Sequence, residues 1–260
     1  MRLRPVIGWS LFVVIIGLTG RLLAARTLLE AGSVLTRMER YQAAEYAFSK
    51  ASFIRDDACA SCGLGMVYRL QNRNGDAEKW LRRSIELDPQ DTCAYNQLGR
   101  MYYDLDDYPK AIEILNQELK LHSNAVLYHF LANSYFYSGK REESIHYYEE
   151  SVRLDPRYPQ VLVDLGNAYG HLNRYQDAAR TLRRAVELRP RDLKARSLLG
   201  TTLFILGDTG GAMEEYRRVN EINPRLGAEM LRGFEGLVES KNAVEQMKRA
   251  TNQPLKARSK

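Results

Sequence analysis

The sequence predicts an all-α solenoid of repeated helix pairs, on three observations that share one period. Leu-Gly or Leu-Ala pairs stand at 64–65, 98–99, 131–132, 165–166 and 199–200, spaced by 33 or 34 residues. Three residues after each pair comes a large side chain: Tyr68, Tyr102, Tyr135, Tyr169 and Leu203. Prolines 89, 156, 190 and 224 close four of the units, with small residues between at Ala77, Ala111, Ser144, Ala178 and Ala212. Recurrence at a period of 20–50 residues marks stacked supersecondary units.

The chain opens with Arg2 and Arg4, then an uncharged run of 16 residues from Pro5 to Gly20. Extended past Arg21 to Ala25 the run reaches 21 residues, near the ~20 that span a bilayer core. Arg21 near its end can snorkel to the headgroups. Residues 1–25 are therefore expected to be a single-pass membrane anchor, contacting the membrane through 5–25. The short basic tail places the N-terminus in the cytoplasm and the repeat body on the far side. A cleaved signal, giving a secreted or periplasmic chain cut near Ala25, and a buried core helix are the rival readings.

Each later unit reads as two helices. In 159–192, Val161, Leu162, Leu165, Gly166 and Tyr169 recur at i, i+3 and i+4. Leu172-Asn-Arg-Tyr-Gln forms a turn, Asp177 to Leu188 forms the second stripe, and Pro190 ends it. The Gly or Ala of each pair lets the two helices approach closely. The units are 58–91, 92–124, 125–158, 159–192 and 193–226. A weaker one at 25–57 matches in phase through Gly32, Leu35, Tyr41, Ala44, Phe48 and Ala51. Residues 227–250 read as a capping helix with Leu231, Phe234 and Leu237 on one side, and 251–260 as a basic disordered tail.

Leu-Gly-x-x-Tyr, the mid-unit Ala, the later small residue and the closing Asp-Pro resemble the tetratricopeptide repeat, a 34-residue helix–turn–helix. The resemblance implies a right-handed superhelical solenoid whose first helices line a concave groove, and a binding protein rather than an enzyme. The groove positions are the second, fifth, ninth and twelfth of each unit, one helical face. They give Arg69, then Asn96, Arg100 and Tyr103, then His129, Asn133 and Phe136 with Tyr137 beside them, then Asn167 with His171, then Phe204. This face of aromatics, amides and scattered cations, with no carboxylate on it, suits a protein segment or extended peptide. The carboxylate clamp of chaperone-binding members is not matched, because Val163 stands where the Lys partner of Asn167 would be.

Cys59, Cys62 and Cys93 are the one cluster with chemical potential. Cys59 and Cys62 open a helix after Asp56-Asp57, where thiol pKa values fall, and Cys93 repeats the position of Cys59 one unit later. A thiol-redox or metal-dependent factor is therefore the alternative function. Against it, an i, i+3 pair is too wide for a relaxed disulfide, and a structural zinc wants a fourth ligand. No cofactor or resident metal is expected, and no catalytic residue is assigned.

Composition bounds the rest. Hydrophobic content of 45% and charged content of 27% are those of folded protein. The net charge of +6 is confined to the ends: residues 41–240 carry 26 basic and 29 acidic side chains, a balance of −3. A nucleic-acid binder needs a basic stripe on its folded surface, so nucleic acid is not an expected partner.

Overall fold

The computed structural model describes the backbone of residues 6–251 and side chains over 19–239. Among the described residues it holds thirteen α-helices and no strand. Three helix pairs come first: α1 (Val6–Arg37) with α2 (Tyr41–Ile54), α3 (Ala58–Leu70) with α4 (Asn74–Leu87), and α5 (Thr92–Asp104) with α6 (Tyr108–Leu121). The chain continues as α7 (Ala125–Tyr137), α8 (Arg141–Leu154), α9 (Pro159–His171), α10 (Tyr175–Leu188), α11 (Leu193–Leu206) and α12 (Thr209–Ile222). A last helix, α13 (Pro224–Thr251), follows. The chain divides into two compact units, 1–138 and 139–260, with the boundary in the turn after α7.

Helix ends follow local chemistry. Asp57, Asp91, Asn124 and Asp192 cap α3, α5, α7 and α11 by accepting from backbone N–H groups of the first turn. The turns that follow α1, α3, α5, α7, α9 and α11 each hold one left-handed residue: Glu39, Asn72, Asp106, Gly139, Asn173 or Gly207. Asn, Asp and Gly tolerate that conformation best, and five of the six positions carry one of them, Glu39 being the exception.

Packing inside a pair turns on a missing side chain. A Cβ on Gly65 would stand 2.5 Å from Leu81 Cγ, and one on Gly99 would stand 2.5 Å from Leu115 Cδ2. In the second unit, Gly166 meets Leu182 Cγ in the same way at 2.5 Å. Leu81, Leu115 and Leu182 are fully buried by this contact. A Cβ on Gly32 of α1 would stand 2.8 Å from the Phe48 ring of α2, so the second half of α1 is built as the first helix of a pair.

Tyrosines join successive pairs within each unit. Tyr68 Oη donates to Glu45 Oε1 at 3.0 Å and Tyr102 Oη to Glu78 Oε1 at 2.8 Å. In the second unit Tyr169 Oη donates to Glu149 Oε1 at 2.5 Å. A cation lies over each ring: Arg73 at 4.2 Å, Lys110 at 5.3 Å and Arg174 at 4.4 Å. Burial, then the adjoining carboxylate, raises the pKa of each phenol.

The expected membrane anchor is overturned. Among the described residues no helix is long and apolar enough to cross a membrane. The physical reason is visible along α1. Its later turns carry Arg21, Arg26 and Glu30 on exposed positions, while Leu29 and Leu35 pack on the core formed with α2 and α3. The uncharged run before Arg21 is 16 residues, about 24 Å of helix against about 30 Å of bilayer core. With the anchor falls the placement of the repeats beyond a membrane. The helix runs unbroken through Ala25, which is buried. The Arg2–Arg4 tail and the basic end at 252–260 lie outside the described residues.

The cap is turned slightly from expectation. Met230 and Phe234 are its buried residues, while Leu231 is exposed. Phe234 stacks on Phe204 at 4.5 Å, and Met230 Cε fills the space above Gly200.

Replacing Gly99 by Ala forces a methyl into Leu115 and is expected to lower stability by about 1–3 kcal/mol, read from the urea midpoint. Gly233 faces open space on α13, and its change to Ala is expected to raise stability by about 0.5–1 kcal/mol.

Candidate functional site

The first-helix face of the 1–138 unit brings together Arg69, Asn96, Arg100 and Tyr103, with Phe130 and Tyr137 beyond them. Arg69 on α3 donates through Nη1 to Asp104 Oδ2 at 3.0 Å and through Nε to Gln97 Oε1 at 3.2 Å. Its side chain is 14% exposed. Burial and then the like charge of Arg100 pull the Arg69 guanidinium below its ordinary pKa, against the pull of Asp104. Arg100 lies 4.9 Å over the Phe130 ring and is half-buried. Among the described residues it has no carboxylate partner.

Beside the two cations stands a knot of rings. Tyr103 meets Tyr108 at 5.9 Å, Phe130 at 5.7 Å and Tyr137 at 6.2 Å. Tyr108 stacks on Tyr137 at 5.7 Å. These edge and offset geometries lock the rings against each other, while Tyr137 stays 55% exposed. Three expected groove residues are instead interior: His129, Asn133 and Phe136 are buried, and the Asn133 amide lies 3.2 Å from His129 Nε2.

The expectation of a face without carboxylates fails at two places. Asp104 holds Arg69, and in the second unit Asp164 Oδ1 accepts from Lys194 Nζ at 2.8 Å. Gln160 Nε2 donates to the other Asp164 oxygen at 3.0 Å. Both acids sit one residue off the expected stripe and reach back onto it. Asn167 remains half-buried and His171 exposed in this unit. Phe204 is not offered to the groove, because the cap helix takes its ring face through Phe234.

Behind the first-unit face lies Glu118 of α6, at a position where three other pairs carry Ser84, Ser151 and Ala185. It is 2% exposed. Asn96 Nδ2 reaches Glu118 Oε1 at 3.5 Å, and Oε2 has no partner among the described residues. Burial pushes this carboxyl up to about 7, partly offset by Asn96. Sequence reading missed it, although an acid in a run of small residues was a visible signal.

The cysteines resolve into a staple and one free thiol. Cys62 and Cys93 form a disulfide between α3 and α5, with Cα atoms 6.5 Å apart. The Cys-x-x-Cys pair itself is not bonded, and Cys59 is free and exposed. Burial, then Asp57 and Asp91, raise the Cys59 pKa. That is opposite to the depressed value of an attacking thiolate, and no metal-holding cluster of His, Cys, Asp or Glu occurs among the described residues.

Family models for the tetratricopeptide repeat match residues 56–124, 90–157, 123–191 and 163–225. Anaphase-promoting complex subunit 3 of Schizosaccharomyces pombe is 24% identical over 166 residues, 63% of this chain and 25% of that protein. BBSome complex member BBS4 of Bos taurus is 27% identical over 136 residues, 52% of this chain and 26% of that protein. The chain thus spans about a quarter of the length of these curated relatives. Among solved structures, Pseudomonas aeruginosa pilF aligns with a TM-score of 0.72 at 17% identity, over 82% of this chain and 99% of that one. YrrB, described as a repeat protein with an unusual peptide-binding site, aligns at 0.64 and 19% identity, over 72% of this chain and 98% of that one. At these identities the structural likeness is one of fold.

Two outcomes are expected. The Glu118 pKa is raised in the folded state, so its contribution is full below about pH 4.5 and is lost as pH rises through about 7. Glu118→Gln is expected to flatten that decline and add about 1–3 kcal/mol above neutrality, measured by urea unfolding at several pH values. Alkylation of the native chain without reductant is expected to label Cys59 alone, and all 3 cysteines after reduction and unfolding.

Proposed function

Because this chain belongs to the tetratricopeptide repeat family, we propose that it is a non-catalytic scaffold that holds an extended acidic segment of a partner protein on its first-helix face. Arg100 carries this reading. A half-buried guanidinium without a carboxylate partner, beside a second cation already satisfied by Asp104, is one charge short of neutrality. A peptide carboxylate supplies that charge through charge-assisted hydrogen bonds. The neighbouring Tyr103–Tyr137 rings then receive an apolar side chain of the same segment, as aromatic anchors do at protein interfaces.

The relatives support the same class of role. Two carry names that place them in multiprotein assemblies, the anaphase-promoting complex and the BBSome, and YrrB is described by a peptide-binding site. The mildly acidic balance of residues 41–240 argues against nucleic acid as the occupant, since phosphate contacts need a basic surface.

Selection of a phage-displayed random-peptide library on the full chain tests this reading. Enriched peptides are expected to place Asp or Glu near an apolar residue, and Arg100→Glu is expected to weaken them by about tenfold or more. Enrichment of basic peptides, or affinities indifferent to Arg100→Glu, contradicts it.

A further inference from the structure

The twelfth position of each repeat holds Arg69, Tyr103, Phe136, Gly170 and Phe204 in turn. Four of the five place a large side chain there, and Gly170 places none. A Cβ built on Gly170 meets no atom within 4 Å. The missing side chain leaves a cleft of about 190 Å³ in the 139–260 unit, between α9, α10 and α11.

The cleft has a definite chemistry. Leu182, Leu198 and Ile205 supply its apolar wall, and Gly166 and Gly170 its bare helix surface. No Lys, Arg, Asp or Glu lines it. The nearby Lys194 and Asp164 neutralise each other at 2.8 Å. Asn167 and Thr201 also line it, and neither side chain has a hydrogen-bond partner among the described residues. A side-chain amide carries both N–H donors and a carbonyl acceptor, the complement of a backbone peptide group.

We propose that this cleft is a binding pocket for one uncharged apolar side chain of an extended peptide, whose backbone is held by Asn167 and Thr201. Its volume is below the ~300–1,000 Å³ of small-molecule sites, so it takes a side chain rather than a whole ligand. A charged side chain loses water there and finds only the His171 ring and the Tyr175 hydroxyl beside the amide and threonines, with no opposite full charge in the lining, which disfavours it. This inference rests on the reading that first-helix faces receive extended peptide, and it adds a second, separate subsite with its own selectivity.

The test is a titration of the full chain with Ac-Ser-Ser-Leu-Ser-Ser-NH₂ and its Leu→Lys and Leu→Glu analogues, followed by methyl NMR of Leu198 and Ile205. Saturable shifts are expected with the Leu peptide, with the charged analogues weaker by about tenfold or more. Gly170→Phe, which restores the side chain found at the same position in two other repeats, is expected to abolish the shifts. Thr201→Val leaves the cleft open and is expected to weaken binding several-fold without abolishing it, with an unchanged urea midpoint as the check on folding. Absence of saturable shifts up to the solubility limit, or equal shifts in folded Gly170→Phe, overturns the pocket. Because Arg100 lies in the other unit, such a failure leaves the acidic-peptide reading standing. Indifference of acidic peptides to Arg100→Glu leaves the pocket result intact.

Discussion

The helix pairs α3–α4, α5–α6 and α9–α10 each depend on one close contact, a glycine of the first helix under a leucine of the second. Gly65 under Leu81, Gly99 under Leu115 and Gly166 under Leu182 have the same geometry and a sixteen-residue separation. The contact brings two helices closer than any larger residue allows and fixes their rotation about each other. Once that rotation is set, the tyrosine three residues later faces the preceding pair and finds Glu45, Glu78 or Glu149. The opposite face of the same first helix then carries Arg69, Asn96, Arg100 and Tyr103, partly exposed, in the first unit.

That constraint explains what the sequence made legible. Pairs such as Leu64-Gly65 and the tyrosines report packing inside a short, local hairpin, where periodicity and contact coincide. The Asp and Asn caps and the left-handed turns are likewise local. Less legible were contacts set by side-chain reach. Asp104 and Asp164 sit one residue off the groove stripe yet satisfy Arg69 and Lys194, so the count of free cations shrinks from the sequence estimate to Arg100 in the first unit. Phe204 looked like a groove aromatic until α13 laid Phe234 against it. The pairing of Cys62 with Cys93 needed the distance between two helices, which spacing alone does not give. The membrane reading failed for a related reason: hydropathy over 5–25 does not report that the helix it belongs to buries Ala25 and packs Leu29 and Leu35 on the first core.

Function then resides in what each repeat places on an invariant frame. The twelfth position is a cation at Arg69, a ring at Tyr103 and bare backbone at Gly170, with no change in the hairpin that carries them. The Cys62–Cys93 bond ties α3 to α5 one turn before Asn96 and two turns before Arg100, so the spacing of the two cation-bearing helices is fixed covalently before any ligand arrives. A preset spacing lowers the ordering cost of binding. Glu118, buried behind Asn96, places beneath the same face a carboxyl that burial pushes up to about 7.

The most direct test of a first-helix binding face is site-specific photo-crosslinking in cells. A benzoyl-phenylalanine is placed in turn at Tyr103 and Tyr137 on that face, and at Arg83, Glu113 and Arg180 on exposed second-helix positions. Discrete adducts with a partner protein from the first set, and none from the second, are the predicted result. Adducts arising from Arg83, Glu113 and Arg180 while the first set stays silent would contradict the account.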